Sequence, residues 1–354
     1  MTQHNLTIEA FVKLGDFLRT FCEFIKSGET SDLTNDPWIG AFQNEIEMAH
    51  HHNGWFTKEN CLHAFKEWGE ILTQENLENW LNNYDLSSNK EKVVALIMAG
   101  NIPLVGFHDL LCVLITGNKA LVKLSSNDQK LIPLIIDYVT SVEPFFENRV
   151  VFTKEKLEKF DAVIATGSNN TARYFEYYFG NKPNIIRKNR NSVAILSGKE
   201  STEELTALAE DIFRYFGLGC RSVSKIYIPK NYAIDTFFKA MYPYSEIINH
   251  HKYANNYDYN KAVYLMSEFK ILDNGFLILK EEKNFGSPIA SLFYEYYEDT
   301  ASLKTLLEAE NEKIQCIVSN GFTENEISFG ETQKPALNDY ADGIDTVDFL
   351  LKTS

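Results

Sequence analysis

The chain has 354 residues, of which 44% are hydrophobic and 23% charged, and a formal charge of −15 at pH 7. Such a length exceeds one hydrophobic core, buries roughly 75% of its unfolded surface, and predicts two main lobes. The negative balance disfavours nucleic acid and anionic membranes as partners, although a helix N-terminus still attracts phosphate within a negative protein.

Phe11, Leu14, Leu18, Phe21 and Ile25 recur at spacings of three and four, which predicts an amphipathic helix within 7–27. A second helix is predicted from Thr57, with Leu62, Phe65 and Trp68 on its apolar face. The polar stretches 28–36 and 81–92 read as loops or short helices. From Val93 the pattern changes to strand–helix alternation. Strands are predicted at 93–98, 120–124, 149–152, 161–165, 184–186 and 192–196, with helices at 105–116, 128–141 and 169–179. A helix from Thr202 to Phe216 and a strand at 223–228 follow, then strand candidates at 261–267, 275–280, 289–295 and 313–318. The alternation predicts a mostly parallel sheet covered by helices, with a domain boundary near 200. The aromatic run Tyr174, Phe175, Tyr177, Tyr178 and Phe179 reads as packing surface or as an acyl-chain wall.

Five cysteines, Cys22, Cys61, Cys112, Cys220 and Cys316, are odd in number and far apart, which argues against a disulfide framework or a metal-ligand pair. The first residues lack a signal-peptide pattern, and the apolar stretches near 93–99 and 110–115 are too short to span a bilayer. A soluble cytoplasmic protein with no integral membrane association is expected. His50, His51 and His52, with His63 nearby, are consecutive and without cysteine partners, so no metal site is assigned.

Cys220 follows Gly217-Leu218-Gly219 at a helix end and precedes Arg221, a cation that favours a thiolate nucleophile. The competing reading is a buried structural cysteine. Asn101 follows a strand in Gly100-Asn101-Ile102-Pro103, where it serves either as a helix cap or as an amide donor to an oxyanion. Lys123 ends a strand before Leu124-Ser125-Ser126, facing either solvent or a cofactor's ribose and phosphate. Gly167-Ser168 ends another strand and leaves room for a pyrophosphate at a helix N-terminus. Neither a strand–G-x-G-x-x-G–helix fingerprint nor a P-loop is present.

In order and spacing, GNIP at 100–103, TGNKALVKLSS at 116–126, ATGS at 165–168 and FGLGCRS at 216–222 resemble the aldehyde dehydrogenase superfamily, and its acyl-CoA reductase branch in particular. The resemblance covers roughly residues 90–295. It implies an aldehyde-dehydrogenase-like α/β fold, a Rossmann-type cofactor domain plus an α/β catalytic domain. Residues 1–200 would hold the N-terminal helices and the cofactor domain, 201–320 the catalytic domain, and 321–354 a segment packing back on the body.

By the same resemblance, Cys220 is the nucleophile, and Asn101 with the Cys220 backbone N–H forms the oxyanion hole. Lys123, Ser125, Ser126, Gly167 and Ser168 bind the cofactor. Ser126 stands where NAD-preferring relatives often carry a carboxylate, which favours NADPH, with NADH the alternative. Arg187 stands at the place of the glutamate that activates water in hydrolytic relatives, and arginine retains its proton near neutral pH. The sequence around 281–288 resembles a ribose-binding segment. Its Phe-Gly register puts Lys283 at the usual glutamate, with Glu282 beside it as the cofactor-binding candidate. The implied reaction is NADPH-dependent reduction of an acyl-CoA thioester, with coenzyme A as leaving group, through an acyl-cysteine. An acyl-protein donor, a homo-oligomer and an acyl-transferring protein partner are compatible with it. The alternatives are an NAD(P)-dependent dehydrogenase that forms carboxylate, or a non-catalytic acyl-CoA- or acyl-protein-binding component.

Overall fold

The computed structural model describes residues 3–28 and 35–353. The chain divides into two units: one runs up to Lys188 and resumes at Ala336, and the other is Asn189–Pro335. The division falls upstream of the expected position near 200, because the strand Asn191–Ile195 pairs with strands of the second unit.

The first unit opens with helices α1 (Gln3–Ser27), α2 (Pro37–His52), α3 (Lys58–Ile71) and α4 (Gln74–Leu81). On α1 the predicted stripe is the buried one, with Phe11, Leu14, Leu18 and Phe21 fully enclosed. Phe21, Phe42 and Phe65, from three helices, meet tilted or edge-on with centroids 5.5–6.0 Å apart, as ring quadrupoles favour. Helix α2 was not anticipated. Its signals are the Asp36 cap, Pro37 at the first position, and Ile39, Phe42, Ile46 and Ala49 on one face. Thr57 caps α3 as predicted, its hydroxyl accepting from the Asn60 N–H at 3.2 Å. Of the stretch 28–36, residues 29–34 lie outside the described residues, and 81–92 contains the last residue of α4 and a single 3-10 turn.

Strands β1 (Val93–Ile97), β2 (Lys119–Lys123), β3 (Val150–Phe152), β4 (Ala162–Thr166) and β5 (Asn184–Arg187) follow, joined through α5 (Phe107–Ile115), α6 (Leu131–Val142) and α7 (Asn169–Phe179). They form a parallel sheet in the order β3-β2-β1-β4-β5. Its central strands are continuous apolar runs, as burial on both faces requires. On α7, Phe175 and Phe179 pack toward the sheet, whereas Tyr174, Tyr177 and Tyr178 face solvent, so only part of that aromatic run is packing surface.

The second unit contains β6 (Asn191–Ile195), α8 (Thr202–Phe213), β7 (Val223–Pro229), α9 (Ile234–Met241), α10 (His251–Met266), β8 (Ile271–Asp273), β9 (Ile278–Glu281), β10 (Ser291–Tyr297), α11 (Thr300–Ala309) and β11 (Ile314–Val318). Its sheet runs β11-β6-β7-β10-β9-β8, parallel except for the β8–β9 pair. Leu205, Leu208, Ala209 and Ile212 of α8 pack with Ile226, Ile228, Leu279 and Leu292 of the sheet. The strand predicted at 261–267 is instead the last part of α10. Tyr253, Tyr257, Asn260 and Tyr264 are buried at spacings of four, three and four, a helical period that sets one face against the body. Tyr253 and Asn260 donate from that face to the Phe276 and Ile289 carbonyls, both at 2.9 Å.

From Ala336 the chain belongs again to the first unit and ends in α12 (Thr346–Lys352). The Arg187 guanidinium, at the end of β5, bridges Asp109 of α5 at 2.6 Å and Thr346 at 3.0 Å, all three side chains being buried. The Tyr340 hydroxyl accepts from Trp80 Nε1 at 2.7 Å, and the Tyr84 hydroxyl donates to Asp345 at 2.7 Å.

Candidate functional site

In the first unit the chain steps outward from β1 through β2 to β3, then returns to place β4 and β5 on the other side of β1. The switch point therefore lies at the carboxyl ends of β1 and β4, the usual ligand-facing crevice of an open parallel sheet. Ile97 of β1 is level with Lys123 of β2 and with Ala165 of β4. Gly100-Asn101, Lys123 to Ser126 and Gly167-Ser168 thus all emerge from one edge.

Close packing shapes that edge. A Cβ on Gly100 would lie 2.7 Å from the Ser125 Cβ, and one on Gly167 would lie 3.0 Å from both Thr171 and Phe175. Asn101 sits half-buried in the turn that precedes α5. It is not that helix's cap: the cap is Gly106, which makes no side-chain bond. The buried Leu104 in the same turn holds a left-handed φ of 59°, and its backbone is bonded to Asp128, whose carboxyl burial pushes up. Strain of this kind, about 1–3 kcal/mol, persists where surrounding contacts over-determine a loop. Lys123 is half-buried, its ammonium 3.3 Å from the Glu155 carbonyl. The Ser125 hydroxyl accepts from the Asn127 N–H at 3.2 Å, and Ser126 is exposed. Ser168 caps α7, its hydroxyl accepting from the Thr171 N–H at 3.2 Å, so it is the amino end of α7 that faces the crevice. An ammonium, neutral hydroxyls and a helix amino end around a Cβ-free edge suit the ribose and diphosphate oxygens of a dinucleotide.

In the second unit, α8 ends at Phe213 rather than at the predicted Phe216. Tyr215, Phe216 and Gly217 then take φ values of 54°, 58° and 73°, a left-handed run. For the two aromatic residues this conformation costs about 1–2 kcal/mol each. Both rings are buried, and Phe216 lies against His250 with centroids 4.4 Å apart. The run delivers the chain into a turn where Cys220 is exposed. The Ser192 hydroxyl donates to the Cys220 carbonyl at 2.9 Å, and Arg221 Nε donates to the Thr332 carbonyl. Asp211, wholly buried on α8, accepts from the Gly330 and Thr332 N–H groups at 2.7 and 3.0 Å, which anchors the segment that receives Arg221. The other cysteines are enclosed wholly or in part: burial pushes the Cys22 and Cys61 thiols up to about 12 and raises Cys112 well above its ordinary value, and Cys316 is buried.

The 282–288 segment leaves β9 and folds back along β7. The Phe285 carbonyl accepts from the Ser224 hydroxyl at 2.8 Å, and Gly286 lies against Asn191 at the start of β6. This is the strand end at which Ser192 holds Cys220. The Glu282 carboxylate is occupied in its own turn, with Lys280 Nζ at 2.7 Å and the Lys283 N–H at 2.9 Å, and the Lys280 hydrogen bond holds its pKa down. Lys283 is exposed. Lys225 of β7 and Glu295 of β10 form an ion pair at 2.6 Å with the lysine side chain wholly buried, an arrangement that a single lysine within the apolar run 223–228 does not reveal. His50, His51 and His52 form the exposed last turn of α2. Among the described residues no three His, Cys, Asp or Glu side chains converge as metal ligands, and no helix is long and apolar enough to cross a membrane.

A model of the acyl-CoA reductase (LuxC) family matches residues 43–242. A curated relative, the long-chain acyl-protein thioester reductase of Aliivibrio fischeri, is 25% identical over 228 residues, 58% of this chain and 47% of that protein. The matched part thus spans about half the length of that relative. Among solved structures, the Delta-pyrroline-5-carboxylate dehydrogenase of Mycobacterium tuberculosis, bound with NAD, superposes with a TM-score of 0.60 at 12% identity, covering 96% of this chain and 70% of that one. Aldehyde dehydrogenase 21 of Physcomitrella patens, in complex with the reaction product succinate, gives 0.58 at 12% identity, covering 90% and 77%. These likenesses establish the two-domain α/β aldehyde dehydrogenase fold.

Proposed function

The chain belongs to the acyl-CoA reductase (LuxC) family, and from that premise we propose that it reduces an acyl thioester to an aldehyde through an acyl group carried on Cys220. The observation that carries this reading is the exposed Cys220 at the end of a strained, tethered loop, while the other cysteines are enclosed wholly or in part. The Cys220 thiolate attacks the thioester carbonyl carbon, and the electron pair of the C=O bond moves to oxygen. The Asn101 amide and the Cys220 backbone N–H are assigned to that oxyanion, where donors act more strongly on the tetrahedral state than on the planar substrate. The oxyanion collapses, the bond to the leaving thiol breaks, and coenzyme A or a protein thiol departs with the electron pair. Lys123, Ser125, Ser126, Gly167, Ser168 and the 282–288 segment, Glu282 included, are assigned to a nicotinamide cofactor, which supplies a hydride when bound. After reduction, the carbon–sulfur bond to Cys220 breaks, releasing aldehyde and restoring the thiolate. Ser126 stands at the position where NAD-preferring relatives often carry a carboxylate, which supports NADPH over NADH.

A second reading, oxidation of an aldehyde to a carboxylate, is favoured by the names of the solved neighbours, which are aldehyde dehydrogenases. It requires a base to activate water. At the position that resembles that base, Arg187 is buried in an ion pair with Asp109. Mixing the enzyme with labelled acyl-CoA in the absence of reductant, then quenching and mapping peptides, tests the proposal. An acyl group on Cys220 is expected, and its absence with every chain length refutes the acyl-cysteine.

A further inference from the structure

Lys225 lies inside β7, five residues beyond Cys220, with 0% of its side chain exposed. Burying an ammonium is unfavourable, and an aliphatic residue of similar volume fits a sheet interior more readily. Burial pulls this ammonium below the ordinary lysine range, and Glu295 on β10, 2.6 Å away, pulls it back up. The ion pair satisfies one donor. A second donor goes to the main chain, to the Lys283 carbonyl at 2.8 Å. The ammonium also lies 5.2 Å from the Phe285 ring centroid and 4.7 Å from that of Tyr227.

The neighbouring Ser224 donates to the Phe285 carbonyl at 2.8 Å, so two consecutive β7 residues hold two alternate carbonyls of one returning segment. Held in this way, the segment brings Gly286 against Asn191, beside the Ser192 hydroxyl that bonds the Cys220 carbonyl. The charge on Lys225 therefore supports the main chain flanking the nucleophile's strand end.

We infer that Lys225 is a positioning residue: with Glu295 as counter-ion, it fixes the 283–286 main chain and thereby the surface that this segment offers to the cofactor. This rests on the reading of the 282–288 segment as cofactor-binding. Lys225 touches neither acyl group nor cofactor in this role and acts through the segment.

The test compares wild type with Lys225→Met, Lys225→Arg and Ser224→Ala. Hydrogen exchange at amides 283–287 reports on the segment, NADPH fluorescence titration on the cofactor, and iodoacetamide labelling of Cys220 on the general integrity of the unit. Lys225→Met is expected to speed exchange of the segment at least tenfold and to weaken NADPH at least fivefold, with Cys220 labelling within twofold of wild type. Lys225→Arg is expected to recover most of both losses, and Ser224→Ala to shift both in the same direction by a smaller factor. Unchanged exchange overturns the inference, and so does a parallel loss of Cys220 labelling that arginine does not rescue. If Lys225→Met does not fold, Ser224→Ala decides: no change in segment exchange or NADPH affinity overturns it. A wild type that binds no NADPH refutes the cofactor reading. A wild type that binds NADPH while the loosened Lys225→Met binds it equally well refutes the positioning role alone.

Discussion

A cysteine acts as a nucleophile where its sulfur is reachable and its thiolate is tolerated. Cys220 is exposed, whereas burial pushes the Cys22 and Cys61 thiols up to about 12. Cys220→Ser is therefore expected to abolish acyl transfer without changing the thermal midpoint, because a hydroxyl lacks the thiol's acidity and the side chain fills no core position. Normal steady-state reduction by the folded variant contradicts the assignment. Asn101 is not the cap of α5, whose cap is Gly106. Asn101→Ala is expected to lower kcat by roughly 100- to 1,000-fold, the loss typical of one oxyanion donor. Full turnover with an intact fold contradicts that role. Cys220 was legible as a candidate in the sequence because two glycines precede it and a strand follows. Lys225 was not, because a lysine in a short apolar run reads equally well as an edge position until the pairing partners on both sides are known.

The strands and most of the helices from 93 to 228 were legible because strand and helix alternate there with different periods. The helix α10 was not. Ala262-Val263-Tyr264-Leu265-Met266 is a short continuous apolar run that reads as a strand, and the helical face shows only when Tyr253 and Tyr257 are included. The left-handed run at Tyr215-Phe216 was also hidden, since bulky aromatic residues give no sign of positive φ and only tertiary packing imposes it.

Two elements carry tests of their own. Asp109 on α5 neutralises Arg187 at the end of β5, and the pair is buried. Asp109→Ala leaves that guanidinium uncompensated and is expected to cost about 3–5 kcal/mol in denaturant unfolding. The double change Asp109→Leu with Arg187→Met is expected to recover most of it, and a single-variant loss under 1 kcal/mol contradicts the pairing. On α8, burial raises the Asp211 carboxyl from 3.8 to about 6, against hydrogen bonds from Gly330 and Thr332 that lower it. The native state then holds the proton to higher pH than the unfolded chain does. This group's contribution to stability is complete below pH 3.8 and is lost as pH rises through 6. Relative to Asp211→Asn, wild type is expected to lose stability between pH 4 and 7, and a difference that does not vary with pH refutes the shift.

At the scale of the whole molecule, each unit is a mostly parallel sheet, and the candidate site residues lie near strand ends. The cofactor candidates follow β1, β2 and β4 of the first unit. The candidate nucleophile Cys220 precedes β7 of the second, and Arg187, at the position that resembles the base of hydrolytic relatives, is held by an ion pair with Asp109. On the proposed reading, that distribution serves transfer of an acyl group between sulfurs, followed by reduction, rather than attack by water. Product analysis tests it most directly: purified enzyme is supplied with short, medium and long acyl-CoAs and NADPH or NADH, and separately with the matching aldehydes and NADP+ or NAD+, and aldehyde and carboxylate are quantified in each. Aldehyde formed in step with coenzyme A release, faster with NADPH and absent in Cys220→Ser, is the predicted result. Inactivity toward every thioester, together with ready formation of carboxylate from aldehydes, would contradict it.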